Sequence, residues 1–177
     1  MIEARVPVLG FAAYSGTGKT TLLKQLLPKL RGRGLRVGMI KHAHHDFDID
    51  TPGKDSYELR KAGASEMLIA SGRRWALMVD MDREGDPVLQ DMLDRLDQGN
   101  LDLVLVEGFK HEAFPKIELH RPAVGMPLIF PEDKDVIAVA SDGELAQSTD
   151  LPRLDINNID SIAEFVVNTF LDKTNGQ

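Results

Sequence analysis

Residues 8–23, VLGFAAYSGTGKTTLL, carry the strongest indication of the fold. Its first five residues are apolar, which predicts a buried strand, and the glycine-rich turn after them leads into a leucine-striped helix. This order matches a phosphate-binding loop, whose pattern is G-x-x-x-x-G-K-[ST]. Ala13 stands where the first glycine of that pattern is expected. Alanine fits there as long as its φ stays negative, so the stretch still predicts a site for phosphate groups.

Four residues of the loop have predicted roles of their own. Gly16 and Gly18 allow the backbone to fold into a nest of N–H groups that face phosphate oxygens. Lys19 adds a positive charge that reaches the β and γ phosphates, and we expect it to act in catalysis by neutralising γ-phosphate charge. Thr20 offers a hydroxyl to Mg²⁺, and the helix that begins there directs its N-terminal dipole at the anion.

Alternating strands and helices predict a three-layer α/β domain over residues 1–177. The mostly apolar strands at 8–12, 35–41, 101–106 and 136–140 predict a mostly parallel sheet, and two segments flanking SGRR, 66–70 and 75–79, predict an added β-hairpin. KIELHR, residues 116–121, is interpreted as an exposed edge strand. Asp55 and Glu58 form a variant capping box that predicts a short helix, and Asn158 or Asp160 is expected to cap the closing helix.

An acidic residue follows the apolar strand in LDLVLVEGF. Glu107 is expected at the end of a strand parallel to the one that enters the phosphate loop, where a carboxylate holds Mg²⁺ directly or through water. The alternative is an ordinary surface acid or helix cap.

The stretch HAHHDFDID, residues 42–50, follows the second strand and has two functional interpretations. The first is a switch loop in which Asp46, or else Asp48, orients water or outer-sphere Mg²⁺ near the γ-phosphate. The second is a Zn²⁺ or Ni²⁺ site formed by His42, His44 and His45. We favour the switch loop because polar and charged groups just beyond it, Arg60 among them, suit an anionic partner. A solvated polar loop is the third alternative.

Asp142 in VIAVASD lies just past a predicted strand. A carboxylate there can accept hydrogen bonds from N1 and N2 of guanine, where adenine offers no such donors. An ordinary turn aspartate before Gly143 has the same spacing.

Composition excludes several classes of protein. Hydrophobic residues make up 42% and charged residues 28%, which disfavours a disordered chain. Apolar runs are far shorter than the roughly 20 residues of a membrane span, and we expect no export signal and no membrane association. The formal net charge of −7 disfavours nonspecific nucleic-acid binding. The absence of cysteine excludes disulfides, and a cytoplasmic location is expected.

Several stretches together resemble one family, the molybdopterin-guanine dinucleotide biosynthesis protein B (MobB) family. They are FAAYSGTGKTTLLKQLLP, IKHAHHDFDIDTPGKDSYELRKAGA, RRWALM, LDLVLVEGFKHE, KIEL and VIAVASD. The resemblance implies a homodimeric P-loop NTPase fold that binds GTP and Mg²⁺ and hydrolyses GTP weakly. It assigns phosphate or magnesium contacts to Gly16, Thr17, Gly18, Lys19, Thr20 and Thr21, and it places Glu107 at the acidic strand end. Ser15, just before Gly16, is also expected to contact the nucleotide.

The resemblance also implies partners. The family assists the guanylyltransferase MobA in attaching GMP to molybdopterin, so MobA, the molybdopterin cofactor and molybdoenzymes are expected partners. GTP rather than ATP rests mainly on the resemblance, because the N-K-x-D guanine motif is missing. A metal-delivery GTPase that uses the histidine cluster and a P-loop small-molecule kinase are the alternatives. A homodimer is expected to form through the exposed strands around 66–79 and 116–121.

Overall fold

The computed structural model describes residues 2–43, 47–81 and 85–175. Two compact units are formed, one from the chain up to His42 and from Pro87 onward, the other from Ala43–Asp86. The strands are β1 (Val8–Ala12), β2 (Val37–Lys41), β3 (Glu66–Ala70), β4 (Trp75–Val79), β5 (Leu103–Glu107), β6 (Lys116–His120), β7 (Val136–Ser141) and β8 (Arg153–Asp155). The prediction of one domain over 1–177 stays a prediction.

The larger unit contains a six-stranded sheet in the order β2-β5-β1-β6-β7-β8. Every neighbouring pair in it is parallel. The carboxyl ends of the strands therefore lie along one edge, and the phosphate loop follows β1 at that edge. The expected α/β fold with a mostly parallel sheet and an added hairpin is confirmed.

Helices cover both faces of this sheet. They are α1 (Lys19–Gly32), α3 (Leu89–Asp94), α4 (Ile159–Glu164), a π-helical continuation (Phe165–Leu171) and α5 (Asp172–Asn175); α2 (Asp55–Lys61) belongs to the smaller unit. Pro28 lies inside α1, and the helix continues past it to Gly32. Asn158 caps α4 by accepting a hydrogen bond from the backbone N of Ser161, which confirms that prediction.

Alternate residues of the central strands enter two separate apolar cores. Leu9 and Phe11 of β1 pack with the leucines of α1 and with the C-terminal helices. Val8 packs instead with Leu89 and Leu93 of α3. Because β1 is buried on both faces, its sequence is a continuous apolar run. The phosphate loop therefore follows a strand that is packed on both sides.

The smaller unit contains α2 and the antiparallel pair β3–β4, which confirms the predicted hairpin. The capping box expected at Asp55 and Glu58 is wrong. Lys54 occupies the position before the first helical residue, and no side chain caps the helix there. Asp55 is already the first helical residue, one position too late to act as the cap.

The interpretation of residues 116–121 as an exposed edge strand is also wrong. β6 is the neighbour of both β1 and β7, and all five of its residues are buried. Its alternating polar residues resemble a solvent-facing pattern, yet they have partners inside the protein. Lys116 Nζ lies 3.0 Å from Asp133 Oδ2, and the carboxylate of Glu118 accepts backbone hydrogen bonds from residues 129 and 130.

Candidate functional site

The loop between β1 and α1 has the backbone of a phosphate-binding nest. Gly16 and Gly18 have φ values of 84° and 94°, a region that favours glycine. Among the described residues, Phe109 alone combines a side chain with a positive φ, so Ala13 keeps the ordinary backbone that the sequence requires of it. The backbone O of Gly18 accepts from Leu22 N at 3.0 Å, which starts α1 and leaves the first amides of the helix without helical partners.

Side chains of the loop divide into exposed and buried. Those of Ser15, Thr20 and Thr21 are exposed, and Lys19 is half-buried. Thr17 is buried, and its hydroxyl donates to the backbone O of Tyr14 at 2.9 Å. Thr17 is therefore available to a ligand through its backbone rather than through its hydroxyl, whereas the hydroxyl of Thr20 is open to solvent.

Burial and neighbouring charges shift the pKa of Lys19. Burial lowers the pKa of Lys19 from its ordinary value, and the nearby ammonium groups of Lys41 and Lys110 lower it further. The carboxylate of Glu107 opposes this and raises the pKa, but burial has the larger effect. A cation that is short of compensating charge at the start of a helix is suited to an anionic ligand.

Glu107 is the last residue of β5 and is paired in register with Phe11 of β1 and Lys41 of β2. Its side chain is buried, and its Oε1 atom lies 3.4 Å from Lys41 Nζ. The next residue, Gly108, has no room for a side chain because a Cβ there would lie 2.6 Å from the Cβ of His42. The structure therefore places one carboxylate at the carboxyl edge of the sheet, one strand away from the phosphate loop.

A cavity of about 430 Å³ opens on the other side of the loop. Its lining includes Gly16, Gly18, Gln25 of α1, Arg121 after β6, and Ile156 and Asn157 after β8. The guanidinium of Arg121 donates from Nε to the backbone O of Thr17 at 3.1 Å and from Nη2 to Asn157 Oδ1 at 3.0 Å. Its Nη1 donates to Asp142 Oδ2. One side chain thus joins the phosphate loop to the loops after β7 and β8.

Comparison with known proteins identifies the family. A family model described as molybdopterin guanine dinucleotide synthesis protein B (MobB) matches residues 8–142, which include the phosphate loop, Glu107 and Asp142. The chain belongs to the MobB family.

Individual MobB relatives agree with this assignment. The chain is 54% identical over 175 residues to the molybdopterin-guanine dinucleotide biosynthesis adapter protein of Escherichia coli K12, covering 98% of each chain. It is 46% identical over 166 residues to the protein of the same name from Haemophilus influenzae, covering 93% of this chain and 89% of the relative. A crystal structure of molybdopterin-guanine biosynthesis protein B matches with a TM-score of 0.70 at 26% identity, covering 91% of this chain and 98% of that one.

The polar loop that matches the MobB pattern is described in part. His44, His45 and Asp46 lie outside the described residues, so the predicted catalytic role of Asp46 stays a prediction. Within the described ranges, no group of three or more His, Asp or Glu residues is arranged to hold a metal ion. His42 packs its ring on Phe109, with 5.0 Å between ring centroids.

Asp48, the other predicted switch residue, is bound within its own unit. Arg60 is buried, and its Nη2 atom donates to both carboxylate oxygens of Asp48, at 2.7 and 2.5 Å. Its Nη1 atom donates to Asp80 Oδ1 at 3.2 Å. The hydrogen bond from Arg60 holds the pKa of Asp48 below its usual range. We expected Arg60 to meet an external anion, and the structure gives it these two carboxylates instead.

Asp142 lies just past β7, as the sequence predicts. Its connection to the cavity is the hydrogen bond that it accepts from Arg121. The carboxylate is partly buried, and it is absent from the cavity lining given above. Its described role is to hold the guanidinium in place. Direct recognition of guanine by Asp142 stays a prediction.

Sequence reasoning missed Arg121, Asn157 and Lys41. Each follows or ends a strand of the parallel sheet at its carboxyl edge, and that position is the signal that could have found them. Arg121 was hidden because β6 was interpreted as an edge strand, far from the site. In residues 2–43, 47–81 and 85–175, no helix has both the length and the apolar character needed to cross a membrane.

Proposed function

We propose that this protein binds GTP with Mg²⁺ at the phosphate loop and acts as an adapter in the biosynthesis of molybdopterin-guanine dinucleotide. The observation that carries the proposal is the pairing of a glycine nest at the start of α1 with a buried carboxylate, Glu107, one strand away. Phosphate and a divalent cation need these two features together. The adapter role is supported by relatives of that name at 54% and 46% identity.

Different residues of the site contact the phosphates and the Mg²⁺ of a bound nucleoside triphosphate in this proposal. The N–H groups of the nest and of the first turn of α1 donate hydrogen bonds to the phosphate oxygens, and the ammonium of Lys19 neutralises charge at the γ-phosphate. The exposed hydroxyl of Thr20 and the carboxylate of Glu107 are hard oxygen donors, which suit Mg²⁺. Mg²⁺ held by these two residues would supply charge neutralisation at the phosphates.

Hydrolysis is slow in this proposal and serves to change the nucleotide state. Asp46 would position the attacking water. Arg121, the arginine that the structure brings to the phosphate loop, already donates to Thr17, Asp142 and Asn157. These three contacts fix the position of the guanidinium, so it is not free to move toward the charge that develops on a departing γ-phosphate, and fast turnover is not expected.

The partner is the guanylyltransferase MobA, and the setting is the cytoplasm. In the GTP-bound state the adapter binds MobA or a molybdoenzyme, and molybdopterin lies near the contact surface. A pull-down of MobA with protein loaded with GTP, GDP or no nucleotide tests this step. MobA retention that ignores the nucleotide state would count against a nucleotide-regulated adapter.

A homodimer forms through the hairpin in this proposal. Leu68, Trp75 and Leu77 are exposed on β3 and β4, at 60%, 66% and 40%. Among the described residues, each strand of the hairpin pairs only with the other and so has a free edge. Light scattering at micromolar concentration tests this, with Trp75→Ser as the variant and Trp75 intact as the reference. A monomeric mass for the unmodified chain would remove the dimer.

Calorimetric titration tests the nucleotide site itself. We expect GTP and GDP to bind more tightly than ATP and ADP, and Mg²⁺ to strengthen the triphosphate complex more than the diphosphate complex. Equal binding with and without Mg²⁺ would contradict the role of Thr20 and Glu107. Failure of every nucleotide to bind would overturn the proposal.

A further inference from the structure

Arg121 has hydrogen-bonding capacity that its protein contacts do not use. A guanidinium carries five N–H donors and no acceptor. Nε donates to Thr17 O at 3.1 Å, one N–H of Nη2 donates to Asn157 Oδ1 at 3.0 Å, and one N–H of Nη1 donates to Asp142 Oδ2. Each Nη atom therefore keeps a second N–H, and the side chain is 30% exposed and lines the cavity beside the phosphate loop.

The cavity is placed to receive the nucleoside end of a ligand whose phosphates lie in the loop. Its wall begins at Gly16 and Gly18 and extends along α1 to Gln25 on one side and to Ile156 and Asn157 on the other. Its volume, about 430 Å³, lies in the range of small-molecule pockets. Ile156 supplies an apolar surface and the amide groups of Gln25 and Asn157 supply polar ones, which is the mixture that a purine requires.

We infer that Arg121 determines base specificity by donating its remaining N–H groups to O6 and N7 of a 6-keto purine. The inference rests on the proposed nucleotide-binding function and names the residue that chooses the base. Guanine and hypoxanthine present two acceptors at these positions, whereas adenine presents N7 beside the N6 amino donor. An all-donor side chain therefore favours GTP over ATP, even though the N-K-x-D motif is missing.

The protein contacts of Arg121 fix the orientation of its guanidinium and so strengthen the preference for a 6-keto purine. Asp142 and Asn157 hold the two Nη atoms from the loops after β7 and β8, so the fork cannot rotate away from an adenine without losing both partners. Asp142 then acts as a positioning residue rather than as a direct ligand of guanine N1 and N2. The Nε contact with Thr17 links the same side chain to the phosphate loop, so base and phosphate are recognised by connected elements.

Inosine triphosphate separates the two ways of recognising guanine, because it keeps O6 and N7 and lacks the 2-amino group. The first measurement is calorimetric affinity of the unmodified protein for GTP, ITP, ATP and inorganic tripolyphosphate. If Arg121 reads the base, ITP binds within about threefold of GTP, and ATP binds at least about tenfold more weakly. ITP as weak as ATP would overturn the inference and leave GTP binding standing.

Two further outcomes separate this inference from the proposed function. Equal affinity for GTP and ATP, both tighter than tripolyphosphate, would overturn the inference and the GTP preference but keep a nucleotide site. No binding of any of the four probes would overturn both proposals.

The second measurement uses Arg121→Ala and Arg121→Lys, with Arg153→Ala as the matched control. Arg153 is the first residue of β8, it too has a carboxylate partner, Glu144 at 3.5 Å, and it lies outside the described lining of the cavity. We expect both Arg121 variants to reduce the GTP-to-ATP affinity ratio about tenfold, since a lysine cannot reproduce the fork. Tripolyphosphate affinity should change by less than about threefold in each. An unchanged ratio in folded Arg121→Ala would overturn the inference, as would an equal loss in the control.

Discussion

The two sides of the phosphate loop are built differently. On the β5 side, Lys19, Lys41 and Glu107 hold charges that are only partly compensated, and the Lys41–Glu107 contact is long at 3.4 Å. On the β6 side, Arg121 is fixed by three separate acceptors. We propose phosphate and a divalent cation, which bring their own charge, as the ligands of the first side. The second is organised before any ligand arrives.

This difference suggests where affinity and specificity come from. Charges that lack full compensation gain most from a charged ligand, so the β5 side should dominate the binding free energy. A preorganised fork gains less energy but discriminates between donors and acceptors, so the β6 side should dominate the choice of base. Three substitutions and one measurement of proton uptake test this difference between the two sides.

The largest effect is expected for Lys19→Ala. Removing the ammonium should weaken GTP about 100-fold, because a charge-assisted contact to phosphate is lost in a partly buried place. Calorimetric titration measures it, and Lys24→Ala, an exposed lysine of the same helix, is the control. GTP affinity unchanged by Lys19→Ala would remove the assignment of the site.

Glu107→Gln should weaken Mg²⁺ binding to the GTP complex about tenfold and leave Mg²⁺-free nucleotide binding nearly unchanged. The amide keeps the shape of the side chain but loses the charge that a hard cation requires. Titration of Mg²⁺ into the complex measures the change. The matched control is Asp102→Asn, at the opposite end of the same strand and paired with Arg36. Equal losses in both variants would show that Glu107 has no special role at the metal.

Asp142→Asn should weaken GTP and ITP by the same factor, about threefold, because the carboxylate acts through Arg121 and the pair is partly exposed. Parallel titrations with the two nucleotides measure this. A loss confined to GTP would mean that Asp142 contacts the 2-amino group directly, as its place in the sequence suggested.

The smallest effect is a fraction of a proton taken up when GTP binds. Burial lowers the pKa of Lys19 below its ordinary value of 10.5, and bound phosphate should raise it again by favouring the charged form. Between the two pKa values binding therefore takes up protons, and GTP affinity falls as the pH rises through this window. In the absence of ligand, the unfolded chain binds more protons than the folded chain between the lowered pKa of Lys19 and 10.5. The free energy of unfolding therefore rises with pH over that range. Calorimetry in buffers of different ionisation enthalpy measures the uptake, and Lys19→Ala should abolish it.

Local patterns in the sequence were enough to predict much of the β5 side. Gly16, Gly18 and Lys19 stand at fixed offsets because the nest is made by consecutive residues, and Glu107 follows an apolar run that is recognisably a strand. The hairpin was predictable for the same reason, since its strands and turn are contiguous. Such features depend on residues close together in the chain.

The β6 side could not be predicted in this way. Thr17, Arg121, Asp142 and Asn157 come from four separate loops, and their meeting depends on the strand order β1-β6-β7-β8. The sequence pattern of β6 led to the wrong prediction of an exposed edge strand. Its alternating polar residues suggest exposure to solvent, yet they have buried partners in the segment that leads from β6 to β7.

The sequence alone predicts the α/β class, the phosphate loop and the MobB resemblance, because each depends on short runs of residues with strong local geometry. The tertiary structure was needed to show that β6 is central, that Arg60 is bound to Asp48 and Asp80, and that Arg121 lines the cavity beside the loop. The physical reason is the same in each case. A charged side chain has no fixed role in a sequence until the packing of distant segments decides which partners it meets and how much water it loses.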